Sequence, residues 1–126
     1  MATRRISVFQ LLTTNGWSRR IPDRQFFERL VSASQQVVVA VSQNQVVGFA
    51  RATTDGLSNG YLSMVVVAAE WRGKGIGTSL VEEIVSDDEG ITWMLRASRS
   101  QAPAFFSKLG FTPSGDAMER ARKRIG

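Results

Sequence analysis

The stretch Glu70-Trp71-Arg72-Gly73-Lys74-Gly75-Ile76-Gly77-Thr78-Ser79-Leu80 decides how this chain is read. A strongly β-prone run, residues 61–67 (YLSMVVV), precedes it. After it, Ile76, Leu80, Val81, Ile84 and Val85 recur at helical spacing, with Glu82, Glu83, Asp87 and Asp88 on other faces. Strand, glycine-rich turn and helix in that order leave amides without partners at a helix N-terminus, where the dipole favours an anion. Gly73, Gly75 and Gly77 let the backbone approach a ligand closely and take positive φ. Arg72 and Lys74 add positive charge at the same spot. The turn reads as a pyrophosphate cradle; the plainer alternative is a tight βα turn with incidental charge.

Two familiar phosphate loops fail residue by residue. The P-loop pattern needs Gly-Lys followed by Ser or Thr, and no Lys-Ser or Lys-Thr pair occurs in the chain. The dinucleotide pattern Gly-x-Gly-x-x-Gly would put its third glycine on Thr78 or on Leu80, depending on the starting glycine. What remains is Arg-x-x-Gly-x-Gly, Arg72 to Gly77.

Working outward, residues 6–12 have the apolar character of a first strand leading into a helical turn, broken at Asn15-Gly16. Asp23 is a candidate N-cap for a helix with an apolar stripe of Phe26, Phe27, Leu30 and Val31. Residues 37–41 are apolar on both faces and read as an interior strand. A turn at 42–45 returns the chain as the hairpin partner 46–53, and Asp55-Gly56 marks a second turn. Downstream, Gly90 resets the chain before an expected strand at 91–97. Pro103 suits the first turn of a short helix, and Gly110 suits its left-handed end, with Phe106 and Phe111 in contact. The tail, 111–122, is expected to supply one or two edge strands, and such a strand offers an edge to a second copy in a homodimer. Consecutive strands beside interspersed helices indicate a mixed α+β sheet.

Length and composition agree. The 126 residues are expected to form one domain, 1–126, with 43% hydrophobic and 21% charged residues. The chain has no Cys and no His, which excludes disulfides, thiolate nucleophiles and every His-based catalytic arrangement. No acidic cluster suggests a metal site. The longest apolar runs, 37–41 and 64–69, fall far short of the roughly 20 residues that span a bilayer, so no membrane partner is expected. The basic N-terminus lacks a signal peptide's apolar region, which points to the cytoplasm. The net charge is +5, and four of the 16 basic residues lie near the end, in Arg120, Arg122, Lys123 and Arg124, and read as a solvated segment.

The residues around the glycine turn resemble the acetyl-CoA motif of the GNAT family of N-acetyltransferases. Val65-Val66-Val67-Ala68-Ala69-Glu70-Trp71-Arg72-Gly73-Lys74-Gly75-Ile76-Gly77 follows that motif closely, and Ala102-Pro103-Ala104-Phe105-Phe106-Ser107-Lys108-Leu109-Gly110-Phe111 resembles the family's late helix. Gly16-Trp17 and Thr54-Asp55-Gly56 are similar to smaller members. The resemblance implies a V-splayed mixed sheet flanked by helices, the acyl-CoA N-acyltransferase fold. It implies acetyl-CoA as co-substrate and no metal. Backbone groups of Val65, Val66 and Val67 would hold the pantetheine arm. Backbone amides of Arg72, Gly73, Lys74, Gly75, Ile76, Gly77 and Thr78 would hold the pyrophosphate. An acceptor amine would attack the thioester directly, a step that needs no histidine.

The chain departs from the family pattern where proton transfer is concerned. Phe106 stands where a Tyr commonly protonates the leaving thiolate, and it has no proton to give. Arg99 stands where an Asn often sits, and Met64 aligns with an acidic position of relatives. Water, Ser100, Ser107 and Tyr61 are the remaining candidates, and no catalytic residue is assigned. Trp17, Tyr61 and Phe106 are candidate lining of the acceptor pocket, against ordinary core roles; Glu70 reads as a charge placed on the helix dipole. The leading reading is an N-acetyltransferase acting on a primary amine of a small molecule or protein. The alternative is a non-catalytic acyl-CoA-binding module. A nucleic-acid-binding reading rests on the basic surface alone, part of which the pyrophosphate would use.

Overall fold

The computed structural model describes residues 2–17, 20–86 and 89–123, so Asp87, Asp88 and Arg124 lie outside the described residues. The chain opens on a helix, α1 (Ala2–Thr14), where a strand was expected. Val8, Leu11 and Leu12 fall at i, i+3 and i+4 and are buried together. A short apolar run satisfies strand and helix periods alike, and burial of this one stripe selects the helix. Gly16 ends it at φ 94°, and Asn15 Nδ2 donates to the Leu11 carbonyl at 2.7 Å. The second helix, α2 (Arg24–Ser32), is capped as expected: Asp23 Oδ1 accepts from the Phe26 amide at 2.7 Å. Phe27 and Val31 carry its buried stripe.

Next come β1 (Gln36–Ser42), β2 (Gln45–Thr54) and β3 (Asn59–Val67). Gln43 and Asn44 join the first two with φ of 51° and 62°, the positive pair that a tight hairpin turn requires. The third helix, α3 (Ile76–Val85), crosses over to β4 (Thr92–Met94). The sheet order is β1-β2-β3-β4, with β1–β2 and β2–β3 antiparallel and β3–β4 parallel. This is the expected mixed sheet with flanking helices. The β3–β4 ladder has three pairs and ends at Tyr61↔Met94. Beyond that pair β3 continues to Val67 without β4, the opening expected of a splayed sheet.

Three strand expectations are corrected. The run 37–41 lies on the sheet's edge, not its interior, and Val37 and Val41 are 40% and 41% exposed. Apolarity on both faces reports what covers a strand above and below, not what pairs along its edge. The expected strand at 91–97 shortens to three residues. Among the described residues the tail from 111 forms no strand, and the pairing edge it would have offered a second copy is absent.

The sheet has a helix layer on each face. Phe27 of α2 links Phe9 of α1 to Phe49 of β2, with ring centroids 6.0 and 6.1 Å apart. Met64 and Val66 of β3 complete this core. On the other face, α3 buries Leu80, Val81 and Ile84 against β1, β2 and β3. The chain divides into two compact units, one ending at Leu95 and one beginning at Arg96. The second carries α4 (Ala102–Ser107), with Pro103 in its first turn. Gly110 ends it at φ 94°, and Phe106 meets Phe111 edge-on at 5.7 Å, as expected. Arg96 pairs with Glu119 at 3.2 Å in the same unit, both half exposed, so the pair adds little stability.

At Gly60 a Cβ would overlap the six-membered ring of Trp93 on β4. Gly60→Ala is therefore expected to lower unfolding free energy by about 1–3 kcal/mol. Denaturant unfolding checks this, and adding Trp93→Ala should recover part of the loss, because the two sites touch.

The β2–β3 loop generates a second expectation. Asp55 accepts from the amides of Ser58 (2.8 Å), Leu57 (2.8 Å) and Asn59 (3.1 Å), and from the Ser58 hydroxyl (2.7 Å). These bonds, the Ser58 amide first, hold its carboxyl well below the usual carboxylate range. A depressed carboxyl stabilises the fold fully above its unfolded pKa and loses that contribution as pH falls. Asp55→Asn should lower Tm at pH 7. The gap to the wild type should begin to close below about pH 4. It should persist in part at pH 3, where Asp55 of the folded chain is still ionised.

Candidate functional site

After β3 the chain makes one 3-10 turn, Ala69–Trp71, and then the glycine turn that opens α3. Gly73 and Gly75 take φ of 78° and 85°, the left-handed region that favours glycine. Their Cβ positions are open space, so conformation rather than crowding sets the residue type. The consequence is a run of free amides. The Arg72 amide donates to the Ala69 carbonyl at 3.4 Å, and the Ser79 amide to Gly75 at 3.1 Å. Between them, the amides of Gly73, Lys74, Gly75, Ile76, Gly77 and Thr78 have no backbone acceptor among the described residues. Six consecutive donors at the positive end of a ten-residue helix are an arrangement that suits an anion.

Arg72, expected at the pyrophosphate, has its side chain and its amide engaged elsewhere. Nε donates to the Val67 carbonyl at 2.9 Å and Nη2 to Asn15 Oδ1 at 2.8 Å. Through Asn15 it ties the end of β3 to the end of α1. Sequence reasoning took Asn15 only as part of the break after the first apolar segment, and nothing local announces a partner 57 positions away. Lys74 is exposed beside the free amides. It also lines a cavity of about 440 Å3, bounded by Val38, Val39 and Ala40 of β1 and by the first turns of α3. That cavity lies on the β1 side of the helix, away from the open stretch of β3.

Val65, Val66 and Val67 pair with Ala50, Phe49 and Gly48 of β2, and Val66 is buried in the core. Upstream of them the β2–β3 register shifts: Arg51 faces Met64, Ala52 faces Leu62, and Ser63 is the extra residue of a bulge. Met64 is 4% exposed and sits in the core, a thioether where relatives were expected to carry an acid. Tyr61 is 37% exposed, at the last β4 pair. Trp17 is half-buried against the α1/α2 core, its amide on the Leu12 carbonyl at 3.0 Å. Phe106 belongs to the second unit, flanked edge-on by Phe105 at 4.9 Å and by Phe111.

Sequence reasoning missed Arg51. It is the one charged side chain buried among the described residues, 7% exposed. Desolvation pulls its pKa below the ordinary arginine value, and the nearby Tyr61 opposes this. The signal was present, an arginine inside an apolar strand, but its burial depends on neighbours far away in sequence. Among the described residues no cluster of three or more carboxylates could hold a metal ion.

The chain's residues 33–113 match the family model of the acetyltransferase (GNAT) domain. The chain is 31% identical over 91 residues to serotonin N-acetyltransferase 2, chloroplastic, of Oryza sativa. That match covers 67% of this chain and 46% of the rice protein, so the chain spans about half of that relative. It is 30% identical over 95 residues to the PanD regulatory factor of Salmonella typhimurium, covering 71% of this chain and 74% of the relative. In fold it is similar to a GNAT-family acetyltransferase from Streptococcus pneumoniae, with a TM-score of 0.79 at 21% identity over 96% of this chain and 92% of the other. A strand edge that opens beyond Tyr61, a run of free amides at the start of α3 and a family match across both features have one meaning: this chain belongs to the GNAT acetyltransferase family.

Proposed function

We propose that the chain is an acetyl-CoA-dependent N-acetyltransferase that moves an acetyl group to a primary amine within a ternary complex. The observation that carries this reading is the run of six free amides from Gly73 to Thr78. That donor set suits a pyrophosphate, whose oxygens need several donors and little else. Lys74 supplies screening charge, and Arg72 steadies the turn from the Val67 side. The edge of β3 at Val65 and Val66 that faces away from β2 is the backbone that would take the pantetheine arm. Bound acetyl-CoA supplies an acetyl thioester that a neutral amine attacks directly, the CoA thiolate leaving and the amine's proton passing to it or to water. The chain's contribution is then to hold two reactants in register and exclude water, which needs neither His nor Cys. The reading treats 1–126 as one domain, since the family match crosses Leu95. It places the protein in the cytoplasm, which a chain without cysteine suits. Among the described residues no helix is long and apolar enough to cross a membrane.

A second reading, a non-catalytic acyl-CoA-binding module, is favoured by two particular residues. Met64 is core and Phe106 has no hydroxyl, so neither can move a proton. One curated relative is named a regulatory factor rather than a transferase.

Acetyl-CoA at a hundred times its Kd should stabilise the protein by about 2.7 kcal/mol, read as a rise in Tm. No rise at millimolar acetyl-CoA overturns both readings. A rise without thiol release over a panel of amines selects the binding module. Lys74→Glu, on an exposed side chain, should leave the apo Tm within about 0.5 kcal/mol of the wild type. It should weaken acetyl-CoA roughly tenfold, and added salt should narrow the difference.

A further inference from the structure

Among the described residues one cation is buried without an anion beside it. Arg51 stands on the α1/α2 face of β2, and two neutral hydroxyls receive it. Nε donates to Ser34 Oγ at 2.8 Å, and Nη1 donates to Ser63 Oγ at 2.8 Å. The Ser34 hydroxyl donates to the Leu30 carbonyl at 2.7 Å, so its oxygen is oriented to accept from Arg51. Ser63 is the bulged residue, and the bulge sets its hydroxyl on the guanidinium. Among the described residues no carboxylate lies within 4.0 Å of Arg51, and its cross-strand partner is Met64. The third nitrogen, Nη2, has no hydrogen-bond partner among the described residues. Nη2 is not fully sealed from solvent, although the residue as a whole is 7% exposed.

A buried guanidinium solvated by two hydroxyls lacks a counter-charge, which an anionic ligand would supply. We propose that Arg51 binds a carboxylate carried by the acceptor, which makes the acceptor class amino acids rather than bare amines. Position supports this. Cross-strand Cα partners stand roughly 5 Å apart, so Arg51 lies beside Met64, the residue before the Val65–Val66 edge. The donor count supports it too. The one nitrogen left over carries two N–H donors, enough for the two oxygens of one carboxylate, whereas a phosphate would leave oxygens without donors. The net charge of +5 draws the same kind of ligand. The acceptor assignment rests on the acetyl-transfer reading; carboxylate binding at Arg51 stands without it.

The test pairs each standard amino acid with its own α-carboxamide and adds serotonin as a bare amine. Binding is read by Tm shift and calorimetry, with and without CoA, and turnover by thiol release. At least one amino acid is expected to bind about 10–100-fold more tightly than its carboxamide, the range for a hydrogen bond to a charged group. The same ratio should appear in kcat/KM. Arg51→Met removes an uncompensated buried charge, so it should fold and should reduce that ratio to near one. Should Arg51→Met fail to fold, Arg51→Lys keeps the charge and loses the planar fork, and is expected to lose most of the ratio. Equal binding of acid and carboxamide, no binding of any amino acid, or an Arg51 variant that keeps the discrimination overturns the proposal. Failure of acetyl-CoA to bind would instead remove the acetyl-transfer reading, while the carboxylate ratio would still be decided without it.

Discussion

Everything at the proposed cofactor site depends on how closely α3 lies on the sheet. Gly48 of β2 makes that approach: a Cβ there would stand 3.1 Å from Ile76 Cγ2 and from Leu80 Cδ1, and 3.3 Å from Ala40 Cβ. Interiors are packed densely enough that such contacts fix position rather than merely fill space. Ile76 is therefore two things at once. Its side chain seats the helix, and its amide is one of the six free donors. The glycine turn bridges a strand end and a helix start whose separation the Gly48 contact sets. Arg72 closes the same geometry from the other side by holding the Val67 carbonyl and Asn15.

That division of labour sets Arg72 apart from Arg51, the hydrogen-bonded arginine of β2. Arg72 is exposed and serves as a brace, spending its donors on one backbone carbonyl and one amide oxygen. Arg51 is buried and has been given only hydroxyls. Burying a charge without a counter-charge is among the costlier things a fold can do. A fold that needed only volume at this position would be served better by Met or Leu, as it is at Met64 directly across the ladder. The cost is more readily understood as binding energy held in reserve than as architecture.

The glycine turn was legible in the sequence because its chemistry is local: strand, Arg72, three glycines at alternate positions and an amphipathic helix all fall within about 25 residues. The Asp23 cap and the Gly110–Phe111 helix end were legible for the same reason. What failed was non-local. Residues 6–12 are apolar in a pattern that either period accommodates, and only the packing of Val8, Leu11 and Leu12 beside Phe27 and Phe49 settles it. The run 37–41 shows two apolar faces but not its open edge. The tail, 111–122, carries too little apolar pattern to specify strands, and its described residues stay exposed apart from Phe111. Arg51 is the same lesson at the site, because its burial is made by Ser34, 17 positions before it, and by a bulge at Ser63, 12 positions after it.

The missing acid and base then take on a different meaning. A reaction that begins from a neutral amine must first remove a proton from an ammonium group, and Met64 cannot take it. On the proposed reading, Arg51 offers another route. An ammonium brought into a partly dry site beside a guanidinium loses stability twice over, by desolvation and by like charge, and both lower its pKa. The carboxylate of the same acceptor holds it in place while neutralising only part of that field. A chain with no histidine and a thioether at the acidic position would thus obtain its neutral nucleophile from electrostatics, with Arg51 setting both which acceptor binds and how readily it gives up its proton.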